Sequence, residues 1–123
     1  MQILFDRTSQ LLGQMIQGSA LRHRVLAANL ANAETPGYQA QDVAFSSVLD
    51  AAQRQGAADG APAPTIRAAA VNDSEATARR DGNTVDLDRQ MVKLAQNTQW
   101  HNAMLQILAG RLATLKSAIR DRG

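Results

Sequence analysis

Two histidines, His23 and His101, and the closely spaced Asp86 and Asp88 are the side chains of this sequence best suited to proton transfer or metal binding. The histidines fall in different predicted helices. His101 occupies an inward heptad position, where a hydrogen-bonded interface residue is the expected role rather than a ligand or base. Asp86 and Asp88 are two apart, so on a helix they do not face one another, and they read as first-turn charges favoured by the helix dipole. There is no glycine loop of the phosphate-cradling kind. The chain has no cysteine, which excludes disulfides, iron–sulfur clusters and zinc ribbons. The expectation is a protein without catalytic residues, cofactor or metal. A different class of function is suggested by Arg111, Lys116, Arg120 and Arg122, opposed only by Asp121. They would serve a helical nucleic-acid-binding or adaptor module. Yet they cluster at a helix end, where cations favour the dipole, and aromatics for stacking make up only 3% of the chain, so no nucleic-acid partner is expected. A helical secretion chaperone is a further alternative.

The elements that must position these residues are built from a thin supply of large apolar side chains. Of 123 residues 45% are apolar, but 23 are alanine, and Leu, Ile, Val and Phe together number 26. That is close to the level below which chains stop folding alone. It argues against a deep, dry pocket and for a protein that finishes burying its apolar surface against something else. No run approaches the ~18 apolar residues of a membrane span. Residues 1–7 lack a basic segment followed by an apolar one, so no cleavable signal peptide is expected.

Three zones follow from periodicity. From about Thr84 to Arg122 the pattern predicts one long helix, about 36 residues and roughly 54 Å. Leu87, Met91, Leu94, Thr98, His101, Leu105, Leu108, Leu112, Leu115 and Ile119 recur at steps alternating four and three, an a/d heptad seam. Asn83, Thr84 or Asp86 can cap its start. Trp100, Met104 and Ile107 form a second stripe off that seam, to be covered either by the middle segment or by a neighbouring molecule. A first helix, from about Ser9 to Ala33, carries Leu11, Leu12, Met15, Ile16, Leu21, Val25, Leu26 and Leu30. Gly13 and Gly18 interrupt it, either as sites of close helix approach or as tolerated weak points costing about 1 kcal/mol each. Between the helices, residues 34–83 read as mostly irregular. Residues 51–83 hold 11 Ala, 3 Gly and 2 Pro, with Ile66 and Val71 their only large aliphatics. That stretch cannot offset its ordering entropy unaided. It is expected to be mobile in isolation and to order on assembly, with room for a short strand near Pro64-Thr65-Ile66-Arg67.

The most informative short run is Ala28-Asn29-Leu30-Ala31-Asn32-Ala33-Glu34-Thr35-Pro36-Gly37-Tyr38. Asn29 and Asn32 share a helix face with Val25 and Ala28. Two asparagines there suggest polar pairs that fix helix register, although Asn32 can equally serve to end the helix. Thr35 precedes proline and is biased to extended backbone. Pro36-Gly37 fits the centre of a type II turn with positive φ at Gly37, and Tyr38 leaves that turn as an amphipathic anchor.

The run ANLANAETPGY resembles the N-terminal signature of the bacterial flagellar rod and hook proteins. The C-terminal run GNTVDLDRQMVKLAQNTQWHNAMLQILAGRLATLKSAI is similar to that of a proximal-rod member of the family. The resemblance spans residues 9–45 and 82–120 and omits the alanine-rich middle. It implies an all-α fold in which 1–33 and 84–123 pair as a coiled-coil-like hairpin forming a rod core. Residues 34–83 would be an extended middle segment with room for a strand pair. It also implies a structural subunit of the periplasmic rod of the basal body, exported unfolded by the flagellar type III apparatus and stacked helically into the motor's drive shaft. Its partners would be other copies of itself, the adaptor FliE, the membrane-ring protein, proximal and distal rod proteins, and the export apparatus. Assembly contacts would then fall on Val25, Ala28, Asn29, Asn32, Thr35, Pro36, Gly37 and Tyr38, on the heptad seam, and on Trp100, Met104 and Ile107.

Overall fold

The computed structural model describes residues 7–45 and 66–121. Helix α1 spans Arg7–Ala31, strand β1 Gln41–Ala44, strand β2 Ala69–Asn72 and helix α2 Leu87–Asp121. Both long helices start and stop within a few residues of where periodicity places them. Of the three candidate caps for α2 it is Asp86 that acts, its Oδ1 accepting from the Arg89 N–H at 3.3 Å. α1 ends at Asn32 and Ala33, whose N–H groups turn back to the Ala28, Asn29 and Leu30 carbonyls. The Asn32 side chain serves that ending locally, donating to Ala28 O at 2.8 Å and accepting from Thr35 Oγ1 at 3.1 Å. It makes no bond to α2.

The helices pair antiparallel: Ser19 meets Asn97 and His101, while Asn29, farther along α1, meets Gln90, nearer the start of α2. The result is the expected helical hairpin with a small two-stranded sheet. The strand pair falls within the middle segment, but its second strand lies beyond the 64–67 stretch that composition suggested. β1 and β2 pair antiparallel with Gln41 opposite Asn72 and Ala44 opposite Ala69. Ile66 and Arg67 lie before the strand, and Pro64 and Thr65 lie outside the described residues, as does the 51–65 part of the 51–83 stretch expected to be mobile in isolation. Its 66–83 part holds β2 and turns at 73–76 and 79–82. Neither strand is rich in β-branched residues, and an isolated ribbon of this length is marginal. Tertiary bonds hold it.

The first of these comes from Asn29, which is fully buried. Its amide lies along the outer edge of β1, accepting from the Gln41 N–H at 3.0 Å and donating to Gln41 O at 2.7 Å, as a neighbouring strand would. Its second N–H donates to Gln90 Oε1 of α2 at 2.9 Å, and its oxygen also accepts from Tyr38 Oη at 3.4 Å. All four hydrogen-bonding positions of the amide are thereby used. A second buried asparagine, Asn83, closes the opposite side. Its Nδ2 lies 2.9, 3.2 and 2.7 Å from the carbonyls of Asn32, Ala33 and Thr35, satisfying groups that the end of α1 leaves open. Thr35-Pro36-Gly37-Tyr38 forms the expected turn, with Tyr38 N–H on Thr35 O at 3.2 Å and Gly37 at φ +75°. Gly82, at φ +80°, stands against it: a Cβ there would lie 3.5 Å from the Gly37 Cα. Beneath this junction Ala33, Ala40 and Val85 form a small buried cluster, with Tyr38 and Ala76 packed on it.

Charges tie the sheet to both helices. Arg22 of α1 donates to both Asp42 oxygens, at 2.8 and 3.2 Å, and Lys93 of α2 donates to Asp42 at 3.0 Å and Asp73 at 2.8 Å. Burial pushes the Asp42 carboxyl upward. Hydrogen bonds from Arg22, the Val43 N–H and Lys93, with the Arg22 charge, outweigh it and hold the group at about 2 rather than 3.8. Asp73 is lowered too: burial again opposes, and bonds from Lys93 and the Glu75 N–H, with the Lys93 and Arg89 charges, prevail.

Replacing Asn29 with alanine removes the partner of the buried Gln90 Oε1 and of the part-buried Gln41 N–H and C=O. It is expected to cost about 2–4 kcal/mol, enough to melt the junction, whereas Asn32→Ala should cost below about 1 kcal/mol. Thermal denaturation followed by circular dichroism checks the difference. Acid titration tests the charge network. Because the Asp42 carboxyl is lowered in the folded state, its stabilisation is complete above the unfolded value of 3.8 and is lost as pH falls toward about 2. The Asp42→Asn variant is expected to be less stable at neutral pH and to show a smaller loss across that interval, by denaturant titration at successive pH values.

Candidate assembly surface

Helix α2 presents α1 with a face one residue out of phase from the apolar heptad seam. Its buried residues are Gln90, Asn97 and Met104, seven apart. Leu94, His101, Leu108 and Leu115, shared with the seam, are half-buried on the same side. The other half of the seam is open to solvent: Leu87, Met91, Leu105, Leu112 and Ile119 are 41–67% exposed, and Thr98 is exposed with them. The covered face is therefore polar along one edge. Asn97 Nδ2 donates to Ser19 O at 2.9 Å. Ser19 Oγ donates to Ile16 O at 2.8 Å, so its lone pair takes the His101 Nδ1–H, at 2.5 Å. His101 is thus a hydrogen-bonded residue of the helix pair, as its heptad position suggested.

The second stripe needs one correction. Met104 is buried at 3% exposure and belongs to the covered face, whereas Trp100 and Ile107 stay more than half exposed. At 100° per residue, Trp100 and Ile107 lie about 140–160° around the helix from Leu105. Apolar side chains thus stand on both flanks of the face that α1 covers. Val92 adds a further exposed aliphatic.

The remaining motif residues divide in the same way. Asn29 is buried and bonded to α2. Val25, Asn32 and Tyr38 are half-buried, and Ala28, Thr35, Pro36 and Gly37 face solvent. The two glycines of α1 part company. Gly18 lies under the Phe45 ring, where a Cβ would come within 2.5 Å of Cε1, so it is a site of close approach. Gly13 has nothing within 4 Å of that position.

Ser19, Gln90, Asn97 and the Asp42–Lys93 pair are not singled out by the sequence, and Asn83 is marked there as a cap for α2 rather than as the residue that closes the end of α1. A signal for part of this set exists. Gln90, Asn97, Met104 and Arg111 recur every seven residues beside the apolar row, and polar residues at heptad spacing are a register device in paired helices. Asp42 and Lys93 are distant in sequence and carry no such periodic signal.

Among the described residues no helix is long and apolar enough to cross a membrane. No protein-family model matches the chain. Curated relatives do. The chain is 33% identical over 120 residues to the flagellar basal body rod protein FlgB of Yersinia enterocolitica, covering 83% of this chain and 85% of the relative. It is 35% identical over 117 residues to FlgB of Escherichia coli K12, with the same coverage. To FlgB of Bacillus subtilis it is 27% identical over 126 residues, covering 94% and 95% of the two chains.

Proposed function

The chain belongs to the FlgB family of flagellar basal body rod proteins, and from that premise we propose that it is a structural subunit of the proximal rod. In this reading copies stack helically into a hollow shaft that passes motor torque outward. Residues 1–33 and 84–123 build the shaft core and 34–83 extend from it. The chain reaches the periplasmic rod unfolded, through the flagellar type III apparatus, and meets FliE and the membrane-ring protein on one side and further rod proteins on the other. Its role is mechanical, without catalysis.

One observation carries the reading: exposed apolar residues stand on both flanks of the α1-facing side of α2. A single partner helix covers one stripe about 100° wide. Two uncovered flanks call for neighbours on two sides, and contacts between unlike patches that do not close build an open helical array. The hairpin also suits export. Its interior is small, and its helix pairing rests largely on hydrogen bonds worth about 1 kcal/mol each, so little stability opposes unfolding.

Substitutions on each flank test it. Trp100→Asp and Leu105→Asp, placed singly in a motile host lacking its own copy, are expected to abolish swimming and rod assembly. Export and the helicity of the purified subunit should be unaltered, since both side chains are exposed. Normal swimming by both variants would contradict the proposal.

A further inference from the structure

Beside the Ser19–His101 contact, the two helices leave a cleft of about 360 Å³ whose lining includes Ala20, His23 and Arg24 from α1 and Thr98 and His101 from α2. Among the described residues no carboxylate lines it. Around the sheet and the start of α2 the basic groups are matched: Arg22, Lys93, Arg89 and Arg79 each have an acidic partner. Arg24 forms no ion pair among the described residues, and the His23 imidazole lines the cleft beside it. Since His101 commits its Nδ1–H to Ser19, the Nε2 of the neutral ring is an acceptor, and Arg24 is the group of the cleft that can donate to an anion. The cleft also opens where Thr98 interrupts the exposed apolar row between Met91 and Leu105. Its chemistry is that of a receptor for one carboxylate carried on an otherwise apolar helix face.

The chain itself contains such a face. Asp88, in the first turn of α2, is exposed and makes no ion pair or hydrogen bond among the described residues. Leu87, Met91 and Val92 around it are 46–57% exposed. At 100° per residue these four residues occupy one side of the helix. We propose that the Arg24–His101 cleft of one copy receives Asp88 of the next, an ion pair set within an apolar contact. The inference rests on the rod reading and deepens it by naming two surfaces that meet. Because cleft and acid are different patches on one chain, the contact is heterologous, the kind from which an open helical stack can be built. Partial burial among apolar neighbours gives the pair more weight than a solvent-exposed one.

The natural absence of cysteine makes the test clean. In a motile host deleted for its own copy, complementation by the unaltered chain tests the rod reading by itself, and its failure would remove both proposals. Given assembled rods, a chain carrying both Arg24→Cys and Asp88→Cys is expected to give, on oxidation, a ladder of covalent oligomers. Each single cysteine variant should give no ladder. A charge exchange adds a second readout. Arg24→Asp and Asp88→Arg alone are expected to lose swimming, and the double variant to regain it, with unchanged helicity of the purified chains. Assembled rods that yield no ladder would overturn the proposal, as would wild-type swimming by both single charge variants or a double variant no better than either.

Discussion

More apolar surface is arranged around α2 than a single helix can cover, and the rest of the molecule follows from that constraint. The side facing α1 takes one stripe. Leu87, Met91, Leu105, Leu112 and Ile119 remain on one flank, and Trp100 and Ile107 on the other. In a chain with so few large apolar residues, leaving these outside the subunit is costly unless another surface covers them. A basal body rod component has such surfaces in its neighbours. The scarcity of core residues in the subunit and the exposure of those on α2 are then two views of one allocation.

What the subunit keeps for itself is largely polar. Asn29 binds β1 and α2 together, Asn83 closes the end of α1, and Asn97 with His101 meets Ser19. Such bonds contribute little net free energy each but demand geometry, since a register shift would leave several buried groups unsatisfied. They set how the helices align without consuming the aliphatic row. The Arg22–Asp42–Lys93–Asp73 network does the same for the sheet, which has too little apolar surface to stand alone.

Much of this was legible in the sequence. The two helices, the turn at Pro36-Gly37 and the inward role of His101 follow from periodicity and from the fixed conformations of proline and glycine. The phase of the α1–α2 contact was not legible. Heptad spacing identifies apolar rows but not which row meets which partner, and here the internal partner takes the row of Gln90, Asn97 and Met104. Met104 was misassigned to the outer stripe for that reason. Composition also mislocates one strand of the sheet. Local composition pointed to residues 64–67, while pairing is set by Asn29 and Asp42 acting on Gln41–Ala44 from distant points of the chain. Asparagine spacing did mark Asn29 correctly as an inter-helix contact. It could not separate it from Asn32, whose bonds close the helix locally.

The central claim is that the outer stripes of α2 become dry only when copies come together. Trp100 is the single tryptophan of the chain, so its fluorescence reports on that surface directly. The account predicts long-wavelength emission and ready quenching by acrylamide for the dilute subunit. In assembled rods, emission should shift to shorter wavelength and quenching should be lost. Emission already blue-shifted and protected from quencher in the dilute subunit would contradict it.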